Sequence, residues 1–379
     1  MMAGIARQSR TQPDLDSMAV YLVERSVFLE WIGMLARHER VYFPQPVSES
    51  SFRFNRVGSR SLLALEDFDD SSRVKPFRAS ACVPPPVRSL APDNELLFTF
   101  RRDKAGDCLL APVLDNSRRI LAGVRPCDLK AIALMDRFQR AGIPDPYYLA
   151  RRDHTLIIGH DCLQPCDEYC FCEAAGSLAW REGADIFLTP QPQARLLVEP
   201  LTDQGAVLLA DAGFPICEDV KGCRARAAAR RATPFGRRFA APLAQVMQVV
   251  AGSWDSAVWE QHADRCFSCG TCNLVCPTCS CFDVRDDFNV EDPGSGRRTR
   301  RRDACMLEDF AEVAGGHNFR KSTAARQRHR VMRKFVYLPD RFGGTAFCVG
   351  CGRCRRQCTV AIDIFDIATD LLAGAGEGT

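Results

Sequence analysis

Along residues 20–40 (VYLVERSVFLEWIGMLARHER) the apolar side chains Leu22, Val27, Leu29, Ile32 and Leu35 recur at mixed short spacings. That pattern predicts one helical face, and VYFP behind it reads as a strand. The proline-rich stretch CVPPPVRSLAP (82–92) lacks the amide donors of a regular element and predicts a rigid loop before the strand ELLFTF. From residue 119 strand and helix patterns alternate. RRILAGV reads as a strand, Asp128 as the cap of a helix running to about Gln139, TLIIGHDC as a strand, and ADIFLTP with ARLLVEP as a hairpin. Beyond about residue 215 the chain turns to Ala- and Arg-rich helical patterns (RARAAARRA, FAAPLAQVMQVVAGSW), which recur up to IDIFDIATDLLAG. The expectation is an α+β protein: an N-terminal α/β domain followed by a mostly α-helical, ferredoxin-like domain. The expected units are 1–74, a helix–strand unit; 75–215, the α/β domain; and 216–379.

The chain has 379 residues, with 46% hydrophobic and 26% charged side chains, which excludes disordered, collagenous and coiled-coil classes. A formal charge of only +3 argues against a nucleic-acid partner. No run of 18 apolar residues is present to span a bilayer. The opening MMAGIARQSRTQPDLD has no apolar core of a secretion signal, so a cytoplasmic location and no membrane partner are expected.

The 20 cysteines change the picture, because most fall in three clusters and reduced, clustered thiols bind metal. Cys266-x2-Cys269-x2-Cys272-x3-Cys276-Pro277 is repeated as Cys348-x2-Cys351-x2-Cys354-x3-Cys358. This is the spacing of bacterial ferredoxins, in which the fourth cysteine of each run serves the other cluster. Cys266, Cys269, Cys272 and Cys358 are therefore expected to hold one [4Fe-4S] cluster, and Cys348, Cys351, Cys354 and Cys276 the second. Gly270, Gly350 and Gly352 suit loops that pass close to a cluster. Zinc sites are the alternative, but paired CxxC motifs leave the third and fourth cysteines at matching offsets unexplained. Thr359 stands where the first run has Pro277, which costs rigidity and no ligand. Residues 277–347, between the runs, are expected to be a helical insertion.

A third constellation, Cys162-x3-Cys166-x3-Cys170-x-Cys172, has Cys127 upstream in GVRPCDLK. A third [4Fe-4S] cluster on Cys127, Cys162, Cys170 and Cys172, with Asp128 as an alternative ligand and Cys166 as either another or a bystander, is the preferred reading; buried free thiols are the other. Cys279 and Cys281 are expected to line a cluster pocket, and Cys82, Cys108, Cys217, Cys223 and Cys305 to be packing residues. Residues 293–334 hold ten Arg and two Lys against four acids. They are either charge compensation for the clusters or a solvated docking face. Trp254 and Trp259 are expected to pack beside the first cluster. No G-x-G-x-x-G or Walker motif follows a strand, and the six histidines form no triad, so no catalytic residue is expected.

The stretches GVRPCDLKAIALMDRF, DPYYLARRDHTLIIGHDC, CFC, CFSCGTCNLVCPTCSCFDV, EVAGGHNFR, RKFVYLPDRFG and CVGCGRC resemble the β subunits of cytoplasmic sulfhydrogenases, which are NAD(P)-linked nickel-iron hydrogenases. They also resemble the related A subunit of anaerobic sulfite reductase. The resemblance covers about 75–370. It implies an electron-transfer subunit between a flavin- and NAD(P)H-binding subunit and the catalytic subunits of a hydrogenase or a sulfite reductase. A self-sufficient reductase with a further cofactor in the α/β half and a zinc-stabilised interaction module are the readings of other classes.

Overall fold

The computed structural model describes residues 18–48, 51–58 and 81–376. The N-terminal segment read for a secretion signal and the boundary at 74/75 lie outside the described residues. The fold combines helices and sheets.

A seven-stranded mixed sheet organises the N-terminal half, in the order β1-β9-β8-β7-β6-β2-β3. Its centre is parallel: β2 (Arg40–Pro46), β6 (Arg119–Val124), β7 (Thr155–His160) and β8 (Ile186–Gln191) run together. The antiparallel flanks are β3 (Phe52–Arg56) on one side and β9 (Arg195–Pro200) with β1 (Tyr21–Glu24) on the other. All six residues of β6 are buried, as a strand covered on both faces requires. Ile120, Ile158 and Ile186 face a core with Phe28, Trp31 and Ile32 of α1 (Arg25–His38). Leu121 and Ile157 face the opposite core, with Leu129, Ile132 and Met135 of α2 (Pro126–Arg140) and Tyr148 of α3 (Pro146–Asp153).

Local differences from the sequence reading have plain causes. Residues 21–24 are strand, not helix, because Tyr21–Glu24 find β9 as an antiparallel partner, and Val27 is exposed on α1. Asp128 lies inside the first turn of α2, whose N-cap is Arg125 and whose Pro126 pre-sets the helical φ. The 82–92 loop contains a short 3-10 turn, Pro86–Ser89.

The expected helical insertion is corrected in its first part. After Cys281 the chain forms an antiparallel hairpin, β10 (Phe282–Phe288) and β11 (Ser295–Arg302). β11 then pairs with β4 (Asn94–Arg102), and β4 with β5 (Cys108–Pro112). This four-stranded sheet joins residues from both sides of position 215. Charge alternation hid it: Arg297 and Arg298 pair across the hairpin with Asp287 and Asp286, so charged side chains occupy positions where a half-buried strand would show apolar ones. Arg300 of β11 reaches Glu95 and Asp145.

The remaining elements are α4 (Asp203–Ala210), α5 (Val220–Arg230), α6 (Leu243–Gly252), α7 (Val258–Ala263), α8 (Thr271–Leu274), α9 (Thr323–Met332), α10 (Leu338–Arg341), α11 (Arg353–Arg356) and α12 (Ile364–Gly376), with a π-helical turn at Arg333–Tyr337. Val246, Val250, Trp259, Val331, Phe335 and Ile367 form their core. A further cluster, with Cys127, Leu134, Cys170, Phe235, Phe347 and Val349, lies where this half meets the large sheet.

Candidate metal centres

The two repeated runs build the same local structure. Gly270 and Gly352 take φ of 74° and 70° and cap the four-residue helices α8 and α11, which carry the third cysteine of each run. A left-handed residue reverses the chain tightly enough for thiols two residues apart to converge. Gly352 has no room for a side chain, since a Cβ would come within 3.0 Å of the Cys170 backbone nitrogen.

One cavity is lined by Cys266, Cys269, Cys272 and Cys358, with Met306 and Arg330. Three of its thiols thus come from one run and the fourth from the other. Backbone amides point at its sulfurs: Ser268 N donates to Cys266 Sγ at 3.4 Å and Ile362 N to Cys358 Sγ at 3.3 Å. Cys269 is exposed, and Phe267 beside it is 71% exposed.

A second cavity is lined by Cys348, Cys351, Cys354 and Cys276, again three plus one, with Arg330, Lys334 and Phe171. Cys276 is drawn to the distant run by a three-way tie. Thr278 Oγ1 donates to Phe347 O at 2.6 Å, Lys334 Nζ donates to Thr278 O at 2.8 Å, and Phe347 N donates to Lys334 O at 2.8 Å. Burial pushes the Cys348 thiol up to about 12 and that of Cys272 to about 11. Cys276 is held well below the usual thiol value, first by a hydrogen bond from Cys279, with the Lys334 ammonium assisting against burial.

Arg330 is buried and lines both cavities. A thiolate-bound cluster is anionic, and a guanidinium and an ammonium enclosed with the thiols are the compensating charges such a site needs. The arginine-rich segment therefore divides. Arg330 and Lys334 face the thiols, while Arg297, Arg298, Arg300 and Arg302 are taken up by acids of the hairpin and its neighbours.

The third constellation also converges. Cys127 and Cys170 both interact with Cys172, and Cys166 stands near Cys127 and Cys170. Cys162 stands near Cys166 and Cys127. The group abuts the second run, because Phe171 N donates to Gly350 O at 2.7 Å and Cys172 Sγ to the same oxygen at 3.3 Å. Arg125, buried at the end of β6, donates to Cys166 Sγ. Both Asp128 oxygens accept from Arg353, at 2.8 Å each, so that carboxylate is already engaged. The His160 imidazole is held neutral, its pKa lowered to about 3 by burial and by Arg125.

Some thiols read as packing residues have company. Asn273 Nδ2 donates to Cys279 Sγ at 3.4 Å and to Cys305 Sγ at 3.3 Å. Cys281 interacts with Cys305, and its pKa is lowered to about 6, chiefly by that hydrogen bond. Cys217 and Cys223 lie with sulfurs 3.8 Å apart. Cys279 and Cys281, expected to line a cluster pocket, are not among the residues that line either cavity: Cys279 accepts from Asn273 and Cys281 meets Cys305, to which nothing in sequence pointed. Trp259 is buried as expected; Trp254 is instead 51% exposed and stacks on Arg328, 4.0 Å from its ring centroid.

Among the described residues, no group of three or more His, Cys, Asp or Glu is arranged to hold a single metal ion. A lone tetrahedral zinc would draw its sulfurs to within roughly 4 Å of one another. No described helix is long and apolar enough to cross a membrane.

Comparison with known proteins finds a family model and a relative. The sequence model of the 4Fe-4S dicluster domain matches residues 265–362, a stretch that contains all eight cysteines of the two runs. The chain is 31% identical, over 353 residues, to the sulfhydrogenase 2 β subunit of Pyrococcus furiosus, covering 92% of this chain and 96% of that protein. No solved structure matches the chain.

Proposed function

The chain belongs to the sulfhydrogenase β-subunit family, and from that premise we propose that it is a non-catalytic relay in a hydrogenase complex. An iron–sulfur electron-transfer role follows from the dicluster domain and the relative together. The finer reading is that electrons enter from a flavin- and NAD(P)H-binding partner and leave to a nickel-iron catalytic module. The observation that supports a relay is the pair of cavities, each lined by three thiols of one run and the fourth of the other.

Cys266, Cys269, Cys272 and Cys358 would hold the first [4Fe-4S] cluster, and Cys348, Cys351, Cys354 and Cys276 the second. Such clusters, when bound, carry single electrons at potentials set by charge, hydrogen bonds and solvent access. Arg330 and Lys334 favour the reduced, more negative form of their neighbours. Cys127, Cys162, Cys170 and Cys172 would hold a third cluster, because Asp128 is occupied by Arg353 and these thiols already adjoin the second cavity. The exposed rim at Phe267 and Cys269 is the port through which a partner exchanges electrons.

The same reading takes 216–379 as the dicluster unit, 75–215 as the α/β unit, and 1–74 as a unit whose strands complete the large sheet. The protein would work as a soluble, cytoplasmic subunit.

The test is anaerobic isolation with its partners, followed by iron, sulfide, flavin and nickel analysis. Iron and acid-labile sulfide in the chain, with nickel and flavin in its partners, are expected. A chain lacking sulfide overturns the relay, and sirohaem in place of nickel moves it to a sulfite reductase. In paramagnetic resonance, Cys358→Ser should remove the signal of the cluster held by the run at 266; loss of only the signal from the run at 348 overturns the crossed assignment.

A further inference from the structure

Cys217 and Cys223 stand apart from the thiols of the two runs and line neither of their cavities. They belong to two segments that meet at one edge of the large sheet. Cys217 N donates to Val20 O at 2.8 Å, next to a bridge between Ile216 and Tyr21, so this segment extends the sheet beyond β1. Cys223 is the fourth residue of α5, and its carbonyl accepts from Gln191 Nε2 of β8 at 3.1 Å. Both side chains are buried in a small apolar cluster with Leu197, Val20 and Leu22, and their sulfurs lie 3.8 Å apart. A disulfide holds its sulfurs about 2 Å apart, so this pair closes with a movement of roughly 2 Å.

The two sulfurs are held differently. Arg226 Nη2 donates to Cys223 Sγ at 3.0 Å, while its Nη1 donates to Asp219 Oδ2 at 3.0 Å. Asp219 is itself fixed, since it caps α5 by accepting from Gly222 N at 2.8 Å. The guanidinium is thereby kept against the sulfur, where a cation stabilises the negative charge that builds during thiol exchange. Burial and the Cys223 sulfur instead raise the pKa of Cys217. One thiol is prepared to attack and the other to follow. The Arg226 and Asp219 side chains are 48% and 63% exposed, so the pair lies one side chain below solvent.

We propose that Cys217 and Cys223 form a disulfide by exchange with a low-molecular-weight disulfide, and that the bond fastens α5 to the β1 edge of the large sheet. Cys223 gives its proton to solvent and attacks one sulfur of the reagent. The reagent's S–S bond breaks, and one half leaves as a thiolate that takes up a proton. Cys217 then gives up its proton and attacks Cys223 Sγ, and the second half leaves in the same way. Two cysteine thiols are oxidised, and one disulfide is reduced to two thiols. The second step is intramolecular between groups already in contact, which favours it over attack by another molecule.

The place of the bond gives it reach. α5 ends at Arg230, and Arg231 behind it holds both oxygens of Asp161, the residue before Cys162. The tie thus stiffens the support of the third thiol group without using any of its sulfurs, and it does not depend on that group holding a cluster.

The test is anaerobic equilibration of the full chain in glutathione buffers of graded thiol-to-disulfide ratio, followed by acid quenching, alkylation and peptide mass mapping. The Cys217–Cys223 link is expected at ratios at least about tenfold more reducing than those that load glutathione on Cys108, which is exposed on β5, because a neighbouring thiol acts at a high effective concentration. Cys217→Ser should trap glutathione on Cys223. Arg226→Gln should slow formation of the link about tenfold, and Arg298→Gln in the outer hairpin should leave it unchanged. Backbone amide exchange over residues 217–230 should slow on oxidation. The link is mapped in the unmodified chain, so the test stands even where the serine variant fails to fold. Absence of the link when Cys108 is fully loaded, a folded Cys217→Ser chain without the adduct, or a link that leaves amide exchange in α5 unchanged overturns the proposal.

Discussion

The runs at 266 and 348 share a cysteine spacing and a backbone, yet one lies at the surface and the other is enclosed. Ser268 and Gly350 occupy the same place in the two loops, with φ of 51° and 68°. In the outer loop a serine tolerates that conformation. In the inner loop a Cβ would stand 2.5 Å from the carbonyl oxygen of Phe171, so only glycine fits. Three positions further, Thr271 of the outer loop corresponds to Arg353 of the inner, which is wholly buried and paired with Asp128 of α2. The same loop geometry thus stands in two settings. The outer loop leaves a cavity edge open at Phe267 and Cys269, and the inner loop is welded to the sheet half and to the third thiol group.

The comparison breaks most visibly at Arg353. Arg353→Met leaves the Asp128 carboxylate buried and unpaired, and a loss of about 3–5 kcal/mol is expected. Thr271→Ala should cost less than about 1 kcal/mol. Denaturant midpoints measured under anaerobic conditions decide this, and equal losses would mean that the inner loop is no more embedded than the outer. Next comes the glycine. Gly350→Ala should destabilise by about 2–3 kcal/mol, through a left-handed backbone and a carbonyl clash, while Ser268→Gly should change stability by no more than about 1 kcal/mol.

Electrostatics sharpens the comparison in the other direction, because Arg330 touches both cavities and Lys334 only the inner. Arg330→Gln should lower both reduction potentials in a redox titration followed by paramagnetic resonance, and Lys334→Gln only one. A shift of a single signal in the Arg330 variant would refute its shared role.

The smallest effect expected is on pH. Burial, with Arg320 and Arg333 nearby, lowers the pKa of His329 on α9 to about 4. The unfolded chain then binds a proton on this residue at a higher pH than the folded one, so stability is full above about pH 6.5 and falls as pH drops towards 4. His329→Gln should flatten that part of a stability profile; an unchanged slope would show that another group governs it.

Much of the framework was legible. β6, β7 and the β8–β9 hairpin follow from apolar runs, because fully covered strands admit little else. The two ferredoxin runs follow from spacing, because three thiols two residues apart have few other uses. Residues 21–24 were misread because their strand character depends on a partner 170 or more positions away in β9. The β10–β11 hairpin was missed because ion pairs across it replace the apolar alternation by which strands are recognised.

By itself the amino-acid sequence determined the local make-up of the two runs: where the thiols stand and in what loops, since those depend on residue identity and on spacings of a few residues. Only the tertiary structure decided which loop is enclosed, which cations face the thiols, and that Asp128 belongs to Arg353. Each of these is a contact between segments far apart in the chain. Burial and electrostatic pairing depend on distance through space, and local pattern does not encode that distance.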